Sequence, residues 1–164
     1  MRIFFAVIVM LVAAIAGAQT PDPVEWTAKW SEPITKKGQK VFLVLTAKIG
    51  PNWHIYAMNA GDGVNSTKIS IKPATKLFRA NGDWILPDAS VITDPATKES
   101  VKVYDDEVVF RIPLVILNPS SKSEITVQVS HQACSGEMCL RPVRKTLSLK
   151  IVQPKQQKAT SAKS

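Results

Sequence analysis

Two cysteines, Cys134 and Cys139, are the only thiols in this 164-residue chain, and Ser135-Gly136-Glu137-Met138 separates them. A bridge between them closes a loop of about six residues, worth roughly 2 kcal/mol of chain entropy, against almost 5 kcal/mol for a bridge closing a hundred residues. A pure staple does more by tying distant strands together. The spacing leaves two readings open: a redox pair that opens and closes, and a small-loop structural disulfide. Gly136 and Pro142 fit an irregular, exposed segment, which is the access an attacking thiolate requires. His131 lies three residues before Cys134; as an imidazolium it would lower a thiol pKa, and as an ordinary strand-end histidine it would make one hydrogen bond. Met138 is either a loop side chain or, with His131 and the two thiolates, part of a soft-metal site for Cu(I).

The redox reading depends on the compartment. Arg2 is followed by an apolar run from Ile3 to Ala16 and by Ala16-Gly17-Ala18 before Gln19. This is the pattern of a secretory signal peptide over residues 1–18, and the run is shorter than the roughly 20 residues of a membrane span. Cleavage leaves a chain outside the cytosol, where disulfides persist, with no membrane insertion expected after cleavage. The mature part, residues 19–154, has the size of one domain. Residues 155–164 hold no large apolar side chain and are expected to be a disordered basic tail. The net charge of +8 shrinks once located, because Arg2, Lys155, Lys158 and Lys163 carry four of those charges outside residues 19–154. The remainder is scattered, with no basic stripe interleaved with aromatics, so nucleic acid is not an expected partner.

The elements that must position the cysteines read as strands. Short alternating runs appear at Val24 to Trp30, Lys40 to Lys48, Trp53 to Ala57, Thr67 to Lys72, Val108 to Ile116, Glu124 to His131 and Arg144 to Val152, and no amphipathic helix exceeds two turns. Turn signals separate them, among them Gly50-Pro51-Asn52 and Gly61-Asp62-Gly63. Glu124 to Ser130 alternates cleanly, and Thr146 to Ile151 repeats the pattern, so the two can pair antiparallel with Leu147, Leu149 and Ile151 toward one core. About seven such strands predict an all-β, immunoglobulin-like β-sandwich in a single domain. A tight hairpin through Cys134 and Cys139 would set core-facing Val129 opposite Arg144, on the wrong face, so the ladder must break before the cysteines.

Other constellations lead elsewhere. Asp105-Asp106-Glu107 reads as a solvated turn, since adjacent carboxylates on an extended chain point to alternating faces and do not converge on a cation. Asn65-Ser66-Thr67 matches a glycosylation pattern by chance. There is no Ser/His/Asp set and no glycine-rich phosphate loop, and no cofactor is expected.

The stretch His131-Gln132-Ala133-Cys134-Ser135-Gly136-Glu137-Met138-Cys139-Leu140-Arg141-Pro142 resembles the Y-Q-x-C-x(4,5)-C-x-x-P segment of the N-terminal periplasmic domain of the thiol-disulfide interchange protein DsbD family. Gly50-Pro51-Asn52-Trp53-His54-Ile55-Tyr56 resembles its G-W-H-I-Y strand, and Val103-Tyr104-Asp105-Asp106-Glu107-Val108 with Phe110-Arg111-Ile112-Pro113-Leu114 resembles its Y-x-x-x-V…P-V segment. The likeness runs from about Val24 to Ile151. It implies a periplasmic thiol-disulfide oxidoreductase module in which Cys134 and Cys139 pass electrons from a thioredoxin-like donor to oxidised envelope proteins, with the second cysteine attacking. It implies thioredoxin-like redox proteins and a membrane electron-transfer protein as partners, a monomer, and His54 and Tyr56 near the disulfide. Against it stands a non-catalytic interaction module with a structural disulfide, since fold alone does not decide function. Family members cover the cysteines with an aromatic-bearing cap loop. The matching stretch, about Thr93 to Ser100, has no aromatic, which leaves either an open site or a substitute cap from Trp84 or Phe78.

Overall fold

The computed structural model describes residues 22–72, 77–94, 97–119 and 124–151. The expected signal peptide, the basic tail and Val152 lie outside the described residues. Eleven strands appear among them: β1 Val24–Trp30, β2 Lys40–Ile49, β3 His54–Tyr56, β4 Lys68–Lys72, β5 Phe78–Ala80, β6 Ser90–Thr93, β7 Ser100–Asp105, β8 Glu107–Ile116, β9 Glu124–His131, β10 Ala133–Cys134 and β11 Val143–Lys150. All ladders are antiparallel. They form three sheets, ordered β1-β2-β8-β5, β10-β3-β7-β6 and β11-β9-β4. This is the all-β, immunoglobulin-like sandwich that the alternation predicts.

Each of the seven expected strands is present, with ends displaced by a residue or two. The expected pair is also there, because β11 runs against β9 with Leu147 opposite Val127 and Leu149 opposite Ile125. Ile125, Val127, Val129 and His131 are buried while Thr126, Gln128 and Ser130 are not. Four strands are additional: β5, β6, β7 and β10. β5 and β6 are short, largely exposed edges without an alternating signature. In β7 the alternation of Val101 and Val103 is interrupted by Tyr104, which is buried as well. The acidic run does make a turn: Asp106 takes a positive φ of 52°, and the chain passes there from the second sheet to the first.

A chain of rings joins all three sheets. Tyr104 on β7 meets Phe110 on β8 edge-on at 5.4 Å, Phe110 stacks on Trp26 of β1 at 5.7 Å, and Trp26 tilts against His131 of β9 at 5.9 Å. Offset and edge-to-face contacts of this kind add to the burial of large apolar area. Phe110, fully buried, is the central link. Phe110→Ala is expected to destabilise the domain by about 3–5 kcal/mol, read as a lower urea midpoint with an unchanged slope.

Candidate functional site

Pairing of β10 with β3 builds the site. Cys134 lies opposite His54, and Ala133 opposite Ile55; β3 in turn pairs with β7, placing His54 opposite Asp105 and Tyr56 opposite Val103. Side chains alternate along a strand, so Ile55, Tyr104 and Ala133 share one face, all buried. His54, Tyr56 and Cys134 then share the opposite face.

Beyond β10 the chain turns back on itself. Ser135 N donates to Met138 O at 2.8 Å and Leu140 N to Ala133 O at 2.9 Å. The two cysteines therefore occupy a non-hydrogen-bonded position of an antiparallel ladder, where opposing Cα atoms come within about 4.5 Å; here they are 4.0 Å apart and joined by a disulfide. The ladder breaks where the sequence requires it. Val129 faces Lys145, and Arg144 faces Ser130, a register one residue away from that of the cysteine hairpin. The extra residue is taken up at Arg141-Pro142, which together oppose Gln132 as a β-bulge.

The two cysteines differ in exposure. Cys134 is 1% exposed, whereas Cys139 is exposed, and next to it Met138 is 57% exposed. The Tyr56 hydroxyl touches both, 3.6 Å from Cys134 Sγ and 3.8 Å from Cys139 Sγ. Its proton goes to Asp94, whose Oδ2 is 2.5 Å away. Burial first, then the hydrogen bond and charge of Asp94, push the Tyr56 hydroxyl up to about 12, so it stays neutral near pH 7. Thr67 holds the Tyr56 carbonyl with both its Oγ1 at 2.7 Å and its N–H at 3.1 Å.

Asp94 is the residue that reasoning from sequence overlooked. It lies in the stretch matching the cap loop, and it is fully buried. Its Oδ1 accepts from Thr97 N at 2.8 Å and Thr97 Oγ1 at 3.1 Å, and its backbone carbonyl accepts from Lys98 N at 2.9 Å. An Asp followed three residues on by Thr, with Pro between, is a turn signal that favours such side-chain bonds. Neither proposed substitute cap belongs to this sheet: Phe78 is on β5, opposite Ile116 of β8, and Trp84 precedes Ile85, bridged to Arg111 of β8.

His54 is half-buried, edge-on to Tyr56 at 6.2 Å, and its Nε2 is buried without a hydrogen-bond partner. Burial lowers its pKa, against the opposing pull of Asp94 and Asp105. His131 is placed differently. Its imidazole is buried with Nε2 3.4 Å from Asp22 Oδ1 and its ring against Trp26; no contact links it to the sulfurs. Lys145 Nζ pairs with the other Asp22 oxygen at 2.6 Å. Thus the thioether of Met138 points to solvent and the imidazole of His131 is engaged in the core. Among the described residues no group of three or more His, Cys, Asp or Glu is gathered for a metal. Two hollows of about 470 and 490 Å³ share Ile85, Glu107, Val109 and Arg111 in their linings and touch neither cysteine.

These features define a class: an immunoglobulin-like sandwich with a half-exposed hairpin disulfide backed by a tyrosine and a buried carboxylate. Residues 21–151 match the family model described as "Thiol:disulfide interchange protein DsbD, N-terminal", and the chain belongs to that family, whose chemistry is thiol-disulfide interchange. Among solved structures it is similar to the N-terminal periplasmic domain of ScsB from Proteus mirabilis, at 22% identity and a TM-score of 0.55, over 80% of this chain and 47% of that one. The chain thus spans about half the length of that relative. It is also similar to the Neisseria meningitidis DsbD N-terminal domain in the reduced form, at 13% identity and a TM-score of 0.49, over 76% of this chain and 84% of that one. A third likeness is to a complex between the DsbD N-terminal and PilB N-terminal domains from Neisseria meningitidis, at 12% identity and a TM-score of 0.46, over 75% of this chain and 80% of that one. No curated protein matches the chain. No helix among the described residues is long and apolar enough to cross a membrane.

The buried His131 carries a pH consequence. Desolvation lowers its folded-state pKa below the ordinary 6.5, Asp22 opposes this, and Lys145 adds to it. The unfolded chain then binds the proton more readily than the folded one, so stability rises with pH in that window. Stability should fall as pH drops below about 6.5 toward the lowered folded value. His131→Asn should flatten this part of the profile, measured by urea unfolding at pH 7.5 and 5.5.

Proposed function

We propose that the chain is an exported periplasmic carrier, beginning near Gln19 after signal removal, that passes reducing equivalents through the Cys134–Cys139 pair. The observation that carries this reading is the asymmetry of the pair: Cys139 is an exposed residue and Cys134 is buried behind it. A thioredoxin-like donor attacks Cys139 Sγ with its thiolate. The Cys134–Cys139 bond breaks, Cys134 leaves with the electron pair and takes a proton, and a mixed disulfide joins Cys139 to the donor. The donor's second cysteine then displaces Cys139, leaving two thiols here and a disulfide on the donor. In the forward half, the Cys139 thiolate attacks the disulfide of an oxidised envelope protein, and Cys134 resolves the product. The donor is in turn supplied by a membrane electron-transfer protein. The module is one component of a protein-disulfide reductase, acting as a monomer.

Tyr56 and Asp94 act on the proton. When the pair opens, a thiol beside Tyr56 can donate to the phenol oxygen, whose own proton is held by Asp94. Charge on Asp94 also opposes a thiolate in its neighbourhood, because like charges disfavour one another's ionised forms. The resting thiols are therefore kept protonated until a partner docks. His54 supplies a neutral wall beside Tyr56. This reading makes His131 a structural residue of the domain, not a member of the redox centre.

Two experiments test it. Cys134→Ala, with Cys139 free, should trap a mixed disulfide with an oxidised thioredoxin-like domain on a non-reducing gel, and Cys139→Ala should trap far less. If neither traps a partner and the wild type resists dithiothreitol, the disulfide is a structural staple of an interaction module. Separately, Asp94→Asn should move the midpoint of the alkylation-rate profile of the reduced domain to lower pH by about one, since a negative charge near the sulfurs is removed. An unchanged profile would deny Asp94 its electrostatic role.

A further inference from the structure

The bulge ahead of the cysteines is filled by a side chain with two jobs. Gln132, the single residue opposite Arg141-Pro142, donates its Nε2 to the Leu140 carbonyl at 2.9 Å. Its Oε1 accepts from Asn65 Nδ2 at 2.7 Å. The amide orientation is fixed by chemistry, since a carbonyl only accepts and the Asn65 amino group only donates. Pro142 brings no N–H to the ladder, and the side-chain amide of Gln132 adds a donor across it, to the Leu140 carbonyl, where the register slips. Asn65 belongs to the segment that ends at Thr67, and Thr67 clamps the Tyr56 carbonyl. One loop thus holds the cysteine hairpin through Gln132 and the tyrosine beneath the sulfurs through Thr67.

We infer that Gln132 is the positioning residue of the redox pair, fixing the hairpin that carries Cys139 relative to the sheet that carries Cys134, and so setting the effective concentration of one thiol at the other. The inference rests on the exchange reading for its biological meaning, but not for its test. Without the Gln132 to Leu140 bond the returning arm of the hairpin gains freedom at the bulge, and the two thiols of the reduced form meet less often. The dithiol is then easier to keep open, and the disulfide becomes the stronger oxidant.

The measurement is the equilibrium in which the domain disulfide and two glutathione thiols give the domain dithiol and glutathione disulfide, with dithiothreitol as the reference if glutathione is too weak. Gln132→Ala should lower the effective concentration about tenfold, which corresponds to a potential higher by about 30 mV for this two-electron couple. Gln132→Glu should do the same near pH 7, because a carboxylate can still accept from Asn65 but has no donor for the Leu140 carbonyl. Asn65→Ala should give a smaller change in the same direction, and it decides the matter if either Gln132 variant fails to fold. Thermal melting of the oxidised forms accompanies each titration. Folded variants with the wild-type effective concentration, or with a lowered melting temperature alone, overturn the inference. A structural disulfide also has an effective concentration, so this outcome is independent of partner trapping by Cys134→Ala, which tests exchange itself.

Discussion

A two-residue pairing governs this protein's chemistry: Ala133 and Cys134 laid antiparallel against Ile55 and His54. Because side chains alternate along a strand, a slip of one residue would exchange faces. Ala133 would come to the side of Tyr56, and Cys134 would lie beside Tyr104, away from the tyrosine hydroxyl. The observed register instead puts Cys134 beside Tyr56, and the return arm of the hairpin brings Cys139 over the same tyrosine. That register is defended from both sides. Ile55 and Ala133 are buried and apolar, and the bulge at Arg141-Pro142 lets β9 and β11 keep their own hydrophobic phase without forcing it on the cysteines.

The site is consequently a place where the sandwich stops being regular. Elsewhere the sheets behave as packed layers, joined by the Tyr104, Phe110, Trp26 and His131 rings. Around the cysteines, side-chain bonds reinforce the short backbone ladder: Gln132 to Leu140, Thr67 to Tyr56, Tyr56 to Asp94. Side-chain bonds are directional, and when buried their loss leaves a polar group unsatisfied, at a cost of roughly 1–3 kcal/mol. They hold the disulfide in place while leaving Cys139 uncovered.

The missing aromatic cap also has a physical counterpart. In place of a ring, Asp94 buries a carboxylate against the Tyr56 hydroxyl that touches both sulfurs, tied to its own turn by Thr97. A ring controls approach, and a charge controls the ionisation of the thiol.

Much of this was determined by sequence alone. Strict alternation in Glu124 to Ser130 and Thr146 to Ile151 can bury only one face, and that constraint sufficed for the strands, their antiparallel pairing and the sandwich. The parity of Val129 and Arg144 required a break before the cysteines, because a continuous hairpin would have buried an arginine. The motif around Cys134 and Cys139, with His54 and Tyr56, carried the family. Tertiary structure decided the rest, for reasons that local pattern does not encode. β7 was hidden because Tyr104 is buried against the alternation, by contact with Phe110 from another sheet. His131 went to Asp22, a residue 109 positions away, and not to the nearby cysteines, since its place on β9 faces the core. Asp94 became part of the site through Tyr56, 38 positions earlier, a contact made only when β3 and the turn after β6 are brought together. Which cysteine is exposed depended on the same packing, as two cysteines five residues apart are equivalent in sequence until one is pressed against a sheet.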